Sequence, residues 1–213
     1  METTTNVDTR EALLDAAESL FGEHGLQAAS LRAITQQAGA NLAAVHYHFG
    51  SKEGLIRAVF ARRMAPMNEK RLAMLEACDL DRPDAVEQVL CAFLEPLLRL
   101  ARDPAAQHFA RMAGRAFSEP TEELRNIVVE QVAETFERFF AVLRRLLPEL
   151  PEKTLMWRMH FVAGSMGHTV ACGHKLEQLS RGRCSLDNVD EALAHLVNFL
   201  AAGLRAPAPV QGD

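Results

Sequence analysis

Residues 30–56 read SLRAITQQAGANLAAVHYHFGSKEGLI. Ser30 is a good helix N-cap, and Leu31, Ile34 and Ala38 follow at helical spacing. Gly39 supplies a turn. Asn41 caps a second short helix that runs to about Phe49, Gly50 stops it, and Ser51 caps the next. A supporting helix, a glycine turn and a slim second helix are what a helix-turn-helix needs to place one helix in a major groove.

The side chains on that second helix suit the task. Ala43 and Ala44 keep one face thin, so the backbone can approach base edges, and alanine can touch a thymine methyl. Tyr47 and His48 carry flat rings with polar tips. Ser51 and Lys52 stand where free N–H groups and the helix dipole favour an anion such as a DNA phosphate. Ser30 offers a second position of that kind, with Arg32 beside it. Ser30 or Asn41 taken alone is equally well read as an ordinary cap; the set together points to DNA.

The rest of the chain is consistent with a helical body behind that head. It has 213 residues, 48% hydrophobic, with a formal net charge of −5. Alanine, leucine, glutamate and arginine recur at helical spacing, so the expected fold is all-α with nine helices. Residues 30–63 carry Arg32, Lys52, Arg57, Arg62 and Arg63 against Glu53 alone. A locally basic segment on an acidic body favours DNA at one face only. The first helix is expected from Asp8 after a loose, polar start. Pro66 and Pro96 are expected to kink or break the helices that hold them. The expected division is a DNA-binding domain over 8–54 and a second domain over 55–204, joined rigidly within the fourth helix.

Cys78, Cys91, Cys172 and Cys184 show no paired motif, which fits a reducing compartment. No leader peptide or membrane span is expected, so the predicted location is cytoplasmic. His168 and Cys172 share a helix face at metal-ligand spacing, but nothing completes a site, so no metal or cofactor is expected.

From Asn41 to Leu55 the chain fits the pattern Asn-Leu-x-x-Val-x-Tyr-His-Phe-x-Ser-Lys-Glu-x-Leu. Residues 9–60 thereby resemble the N-terminal domain of the TetR family of transcriptional regulators. The resemblance implies a bacterial homodimer on a palindromic double-stranded DNA operator, usually released by a small molecule. It implies that Ser30, Tyr47, His48 and Lys52 touch phosphates, with Ala43, Ala44 and His46 nearest the bases. His46 departs from the tyrosine or tryptophan common at that place. Asn41–Phe60 is also similar to a subgroup that controls fatty-acid metabolism and responds to an acyl chain or acyl-CoA.

Two half-sites need two reading helices, so function requires a dimer. Ala163, Gly164, Gly167 and Ala171 form a small-residue face on the eighth helix, with His168 and Cys172 beside it. Leu193, Leu196, Val197 and Leu200 form an apolar stripe on the ninth. Together they are the expected seam. For an apolar effector the expected lining is Met64, Met67, Phe93, Phe109, Met112, Phe117, Phe136, Phe140, Met156 and Trp157, soft side chains that adapt to a ligand. Each of them singly is as well explained by core packing. The rival reading is an all-α carrier or enzyme for an apolar metabolite. No nucleophile motif, paired carboxylate or glycine-rich phosphate loop supports catalysis.

Overall fold

The computed structural model describes residues 2–118 and 122–209, with side chains described except at 2–7, 114–118, 123 and 124. Among the described residues there are nine α-helices and no strand. They are α1 (Glu2–His24), α2 (Leu31–Gln37), α3 (Leu42–Phe49), α4 (Lys52–Glu76), α5 (Ala85–Arg102), α6 (Gln107–Ser118), α7 (Glu122–Leu146), α8 (Glu152–Leu179) and α9 (Val189–Arg205). A short 3₁₀ turn, Pro104–Ala106, precedes α6.

Helix α1 starts at Glu2 rather than at Asp8. No glycine or proline interrupts residues 2–21, so nothing local stops the helix earlier. Helices α4 and α5 run through Pro66 and Pro96 without a break. Each proline costs its helix one backbone bond, and the flanking apolar turns hold the rest together.

The chain forms two compact units: residues 1–66 with 103–131, and residues 67–102 with 132–213. The first unit is cored by Leu13, Leu14, Ala17 and Phe21 of α1, together with Ile34, Val45, Leu55 and Val59, all buried. Phe60 meets Phe109 edge to face, with ring centroids 5.7 Å apart. Helix α6 packs along α1. Helices α2 and α3 are short and have little apolar area to bury by themselves, and α6 adds what they lack.

The second unit has a larger core: Val89, Leu90 and Leu94 of α5, Phe139 and Leu143 of α7, Leu155, Met159 and Val162 of α8, and α9. Phe93 and Phe139 meet edge to face at 5.1 Å. Leu193, Val197 and Leu200 belong to this core, and Leu196 packs partly buried against it. Expected on a seam with a second copy, they pack inward within this chain. The α9 stripe is met by α5 of the same chain, so it is already covered. Two arginines reinforce the packing: Arg205 pairs with Glu87, and Arg99 pairs with Asp190 at 2.6 Å.

Candidate nucleic-acid interface

The caps form as the sequence dictates. Ser30 Oγ accepts from the Ala33 amide at 3.1 Å. Asn41 Oδ1 accepts from the Ala44 amide at 2.9 Å. Ser51 Oγ accepts from the Gly54 amide at 3.1 Å. These oxygens each satisfy one orphan N–H of a helix start. Gly39 and Gly50 take φ of +63° and +75°, a region that penalises any Cβ, and they fix where α3 begins and ends.

Helix α3 has one buried residue, and the others are half-buried or exposed. Val45 is fully buried, while Tyr47 is 76% exposed and Leu42 49% exposed. Ala43 and His46 are exposed; Ala44 and His48 are half-buried. The Tyr47 and His48 rings meet edge to face at 4.9 Å, which holds the tyrosine in one outward orientation. His46 Nδ1–H donates to the Gly50 carbonyl at 2.9 Å. That bond ties the exposed ring to the end of α3 and leaves Nε2 as its other polar atom.

Lys52 Nζ donates to the Gln27 carbonyl at 3.2 Å, tying the start of α4 to the α1–α2 connection. Partial burial pushes its ammonium below the usual lysine value, against the raising effect of Glu53. With one N–H engaged, the ammonium still has donors for a phosphate. Arg32 is exposed.

The other cations counted in this segment are not available in the same way. Arg57 pairs with Glu130. Arg62 reaches Glu18 at 2.6 Å and Asp15 at 2.7 Å. Arg63 holds Glu18 at 2.8 Å and donates to the Ala105 carbonyl at 2.8 Å. Glu18 is only 4% exposed, so this is a buried carboxylate between two guanidinium groups. Raised by its hydrogen bonds to Glu18 and Asp15, against desolvation, Arg62 is firmly cationic. Among the described cations of residues 30–63, those without an ion pair to a carboxylate are Arg32 and Lys52. The sequence offered no signal for the Glu18 clamp, because Glu18 lies on α1, far along the chain from its partners.

The residues predicted to line a ligand site divide between the two units. Phe109 and Met112 are core residues of the first, where Met64 is also buried. Met67 and Phe93 are buried in the second, and Phe136 and Phe140 stack at 6.1 Å against its core. Met156 and Trp157 are 44% and 53% exposed and line an open surface pocket with Glu152, Lys153 and His160. Trp157 also stacks on Phe161 along the outside of α8, at 6.0 Å. The side chain of Phe117 lies outside the described residues. Arg158 donates to the Leu204 and Pro207 carbonyls, capping the end of α9.

On α8, Gly164 and His168 are exposed, Ala163, Ala171 and Cys172 are half-buried, and Gly167 is buried. The outward apolar residues that the sequence reading missed are Phe161, 57% exposed, and Phe199, 72% exposed. They flank a groove with Ser165 and Gly203. Among the described residues, no group of three or more histidine, cysteine or acidic side chains is placed to hold a metal ion, and no helix is long and apolar enough to cross a membrane.

A capped supporting helix, a glycine turn and a second helix whose one buried residue is a valine define the helix-turn-helix class. Residues 13–59 match the family described as bacterial regulatory proteins, tetR family, and residues 91–203 match the tetracyclin repressor-like C-terminal domain. The chain belongs to the TetR family. It is 35% identical over 91 residues to the HTH-type transcriptional repressor BepR of Brucella suis, covering 41% of this chain and 42% of that one. It is 27% identical over 139 residues to the HTH-type transcriptional regulator BetI of Rhizobium meliloti, covering 65% of this chain and 66% of that one. The chain thus spans less than two thirds of the length of these relatives. Its fold is shared with SmeT in a triclosan complex: TM-score 0.64, 21% identity, 96% of this chain and 98% of that one. It is shared equally with the regulator FadR of Bacillus subtilis in complex with stearoyl-CoA: TM-score 0.64, 17% identity, 91% and 98%.

Proposed function

We propose that this protein is a sequence-specific DNA-binding transcriptional regulator, acting as a homodimeric repressor on a palindromic operator. The observation that carries the reading is α3 itself, held by the buried Val45 and the caps at Asn41 and Gly50, with Tyr47 projecting into solvent. Residues 8–54 then form the DNA-binding domain and residues 55–204 the ligand-binding and dimerisation domain, in a cytoplasmic protein. Ser30, Arg32, Tyr47, His48, Ser51 and Lys52 serve the phosphates. Ala43, Ala44 and the exposed ring of His46 serve the bases.

Two reading helices must lie about 34–36 Å apart, or a multiple of it, to engage both half-sites. The partner packs against the outer face of α8 and α9, where the small residues Ala163, Gly164 and Ala171 lie on the helix that carries the exposed Phe161. Burying Phe161 and Phe199 there supplies the apolar contact that the α9 stripe does not. The effector is a small apolar molecule. Two proteins of the same fold were solved with triclosan and with stearoyl-CoA, which supports that class. Its binding moves α4 and changes the separation of the two Tyr47 side chains, so both half-sites can no longer be held at once.

A gel shift on DNA from upstream of the protein's own gene tests the reading. A regulator gives a band that random DNA of equal length does not compete away. A carrier or enzyme gives no such band.

A further inference from the structure

Arg71 sits in the last two turns of α4 and is 2% exposed. Among the described residues no carboxylate lies within ion-pairing distance of it. Its Nε–H donates to the Phe93 carbonyl at 2.8 Å. Nη1 donates to Asn68 Oδ1 at 3.2 Å, and Nη2 to the Met166 sulfur at 3.4 Å. The guanidinium lies over the Phe93 ring, 4.6 Å from its centroid. Burial pushes its pKa down to about 10, which leaves it charged at neutral pH.

These contacts do not account for the charge. A guanidinium has five N–H donors, and three are engaged here. The Phe93 carbonyl accepts one of these bonds, but a neutral amide would supply it. A thioether is a weak acceptor, and an aromatic face compensates only part of a full charge. An uncompensated buried cation is costly to keep, so its retention points to a missing counter-ion.

We propose that Arg71 anchors the head group of an apolar carboxylate, with the tail lodged among the side chains around Phe93 and Met166. The proposal rests on the reading that the body of the protein takes an apolar effector, and it names the chemical class of that effector. A carboxylate fits better than a phosphate monoester. Arg71 supplies one positive charge, and a dianion would leave a negative charge buried instead. Nη1 and Nη2 each keep a further N–H, enough for a bidentate carboxylate. Met166 is flexible, and its sulfur gives way to a stronger acceptor. A tail without polar groups matches the surrounding aliphatic and aromatic core.

The test is calorimetric titration of the full chain with decanoate and with decan-1-ol, near neutral pH. The two probes share a tail length and differ in head-group charge. The wild-type protein is expected to bind decanoate at least about tenfold more tightly than the alcohol. Arg71→Gln keeps donors for Phe93 and Asn68 without the charge, and the preference is expected to collapse to about twofold or less. Arg71→Lys, which keeps the charge without the fork, is expected to weaken decanoate several-fold and leave the alcohol unchanged; it serves the test even where Arg71→Gln does not fold. Equal binding of the two probes by wild type overturns the proposal, as does failure to bind either, or a preference unmoved in the variants. A gel shift run alongside separates the two readings. A DNA band without a carboxylate preference sinks only the anion site. A carboxylate preference without a DNA band sinks the regulator reading.

Discussion

Helix α4 carries arginines with opposite surroundings. Arg62 and Arg63 converge on Glu18, a buried carboxylate with Asp15 and Ala105 completing the network. Arg71, two turns further on, is more deeply buried and, among the described residues, meets a carbonyl, an amide oxygen, a sulfur and a ring but no carboxylate. Both arrangements withdraw charge from water, at a large desolvation cost. The first returns that cost within the folded chain, so its role is to fix α1 to α4. The second leaves it open, which makes Arg71 a receptor and not a brace. A buried charge becomes informative only once its partner has been looked for.

Breaking the clamp gives the largest expected effect. Glu18→Ala strands two partly buried guanidinium groups and is expected to cost about 3 kcal/mol, read by urea unfolding. If it costs as little as an exposed surface pair, the contrast with Arg71 fails. Replacing Arg71 by Met removes an uncompensated charge along with two useful hydrogen bonds. Its cost in the same urea assay is expected to be smaller, about 1 kcal/mol or less. A larger loss than for Glu18→Ala would make Arg71 the brace and Glu18 the lesser partner. Gly50→Ala forces a Cβ into φ +75° at the end of the reading helix, for about 1–2 kcal/mol. It is expected to weaken DNA binding as well, because the α3–α4 junction moves with it. Lys52→Ala is the mildest for folding. It is expected to weaken operator and random DNA alike and to reduce the slope of log affinity against log salt by about 2, one for each Lys52 of the dimer. Loss confined to the operator would mean that Lys52 reads bases.

The head of the molecule was legible because its signals are local. Ser30, Gly39, Asn41, Gly50 and Ser51 each fix a helix end through bonds to residues within a few positions, and the structure shows the three caps as read. The body was less legible because burial depends on distant partners. The α9 stripe of Leu193, Val197 and Leu200 reads as apolar from sequence, but only the position of α5 shows that it faces inward. Trp157 and Met156 look like interior residues by type and lie outside by position. For Arg71 a signal was present. Met64, Met67, Arg71 and Leu75 recur at helical spacing on one buried face of α4, with a cation where the pattern asks for an aliphatic chain. The Glu18 clamp carried no such mark, since two arginines in a row on a helix look like a solvated or DNA-facing pair.

The proposed reading of a duplex by α3, with Tyr47 outermost, is open to direct test. Its most direct measurement is a footprint of the wild-type protein on DNA from upstream of its own gene, repeated with Tyr47→Ala. The expected result is a protected inverted repeat, lost in the variant while its thermal unfolding stays unchanged, because Tyr47 is exposed and supports no core. Protection without symmetry, no protection, or a footprint indifferent to Tyr47 would contradict the claim.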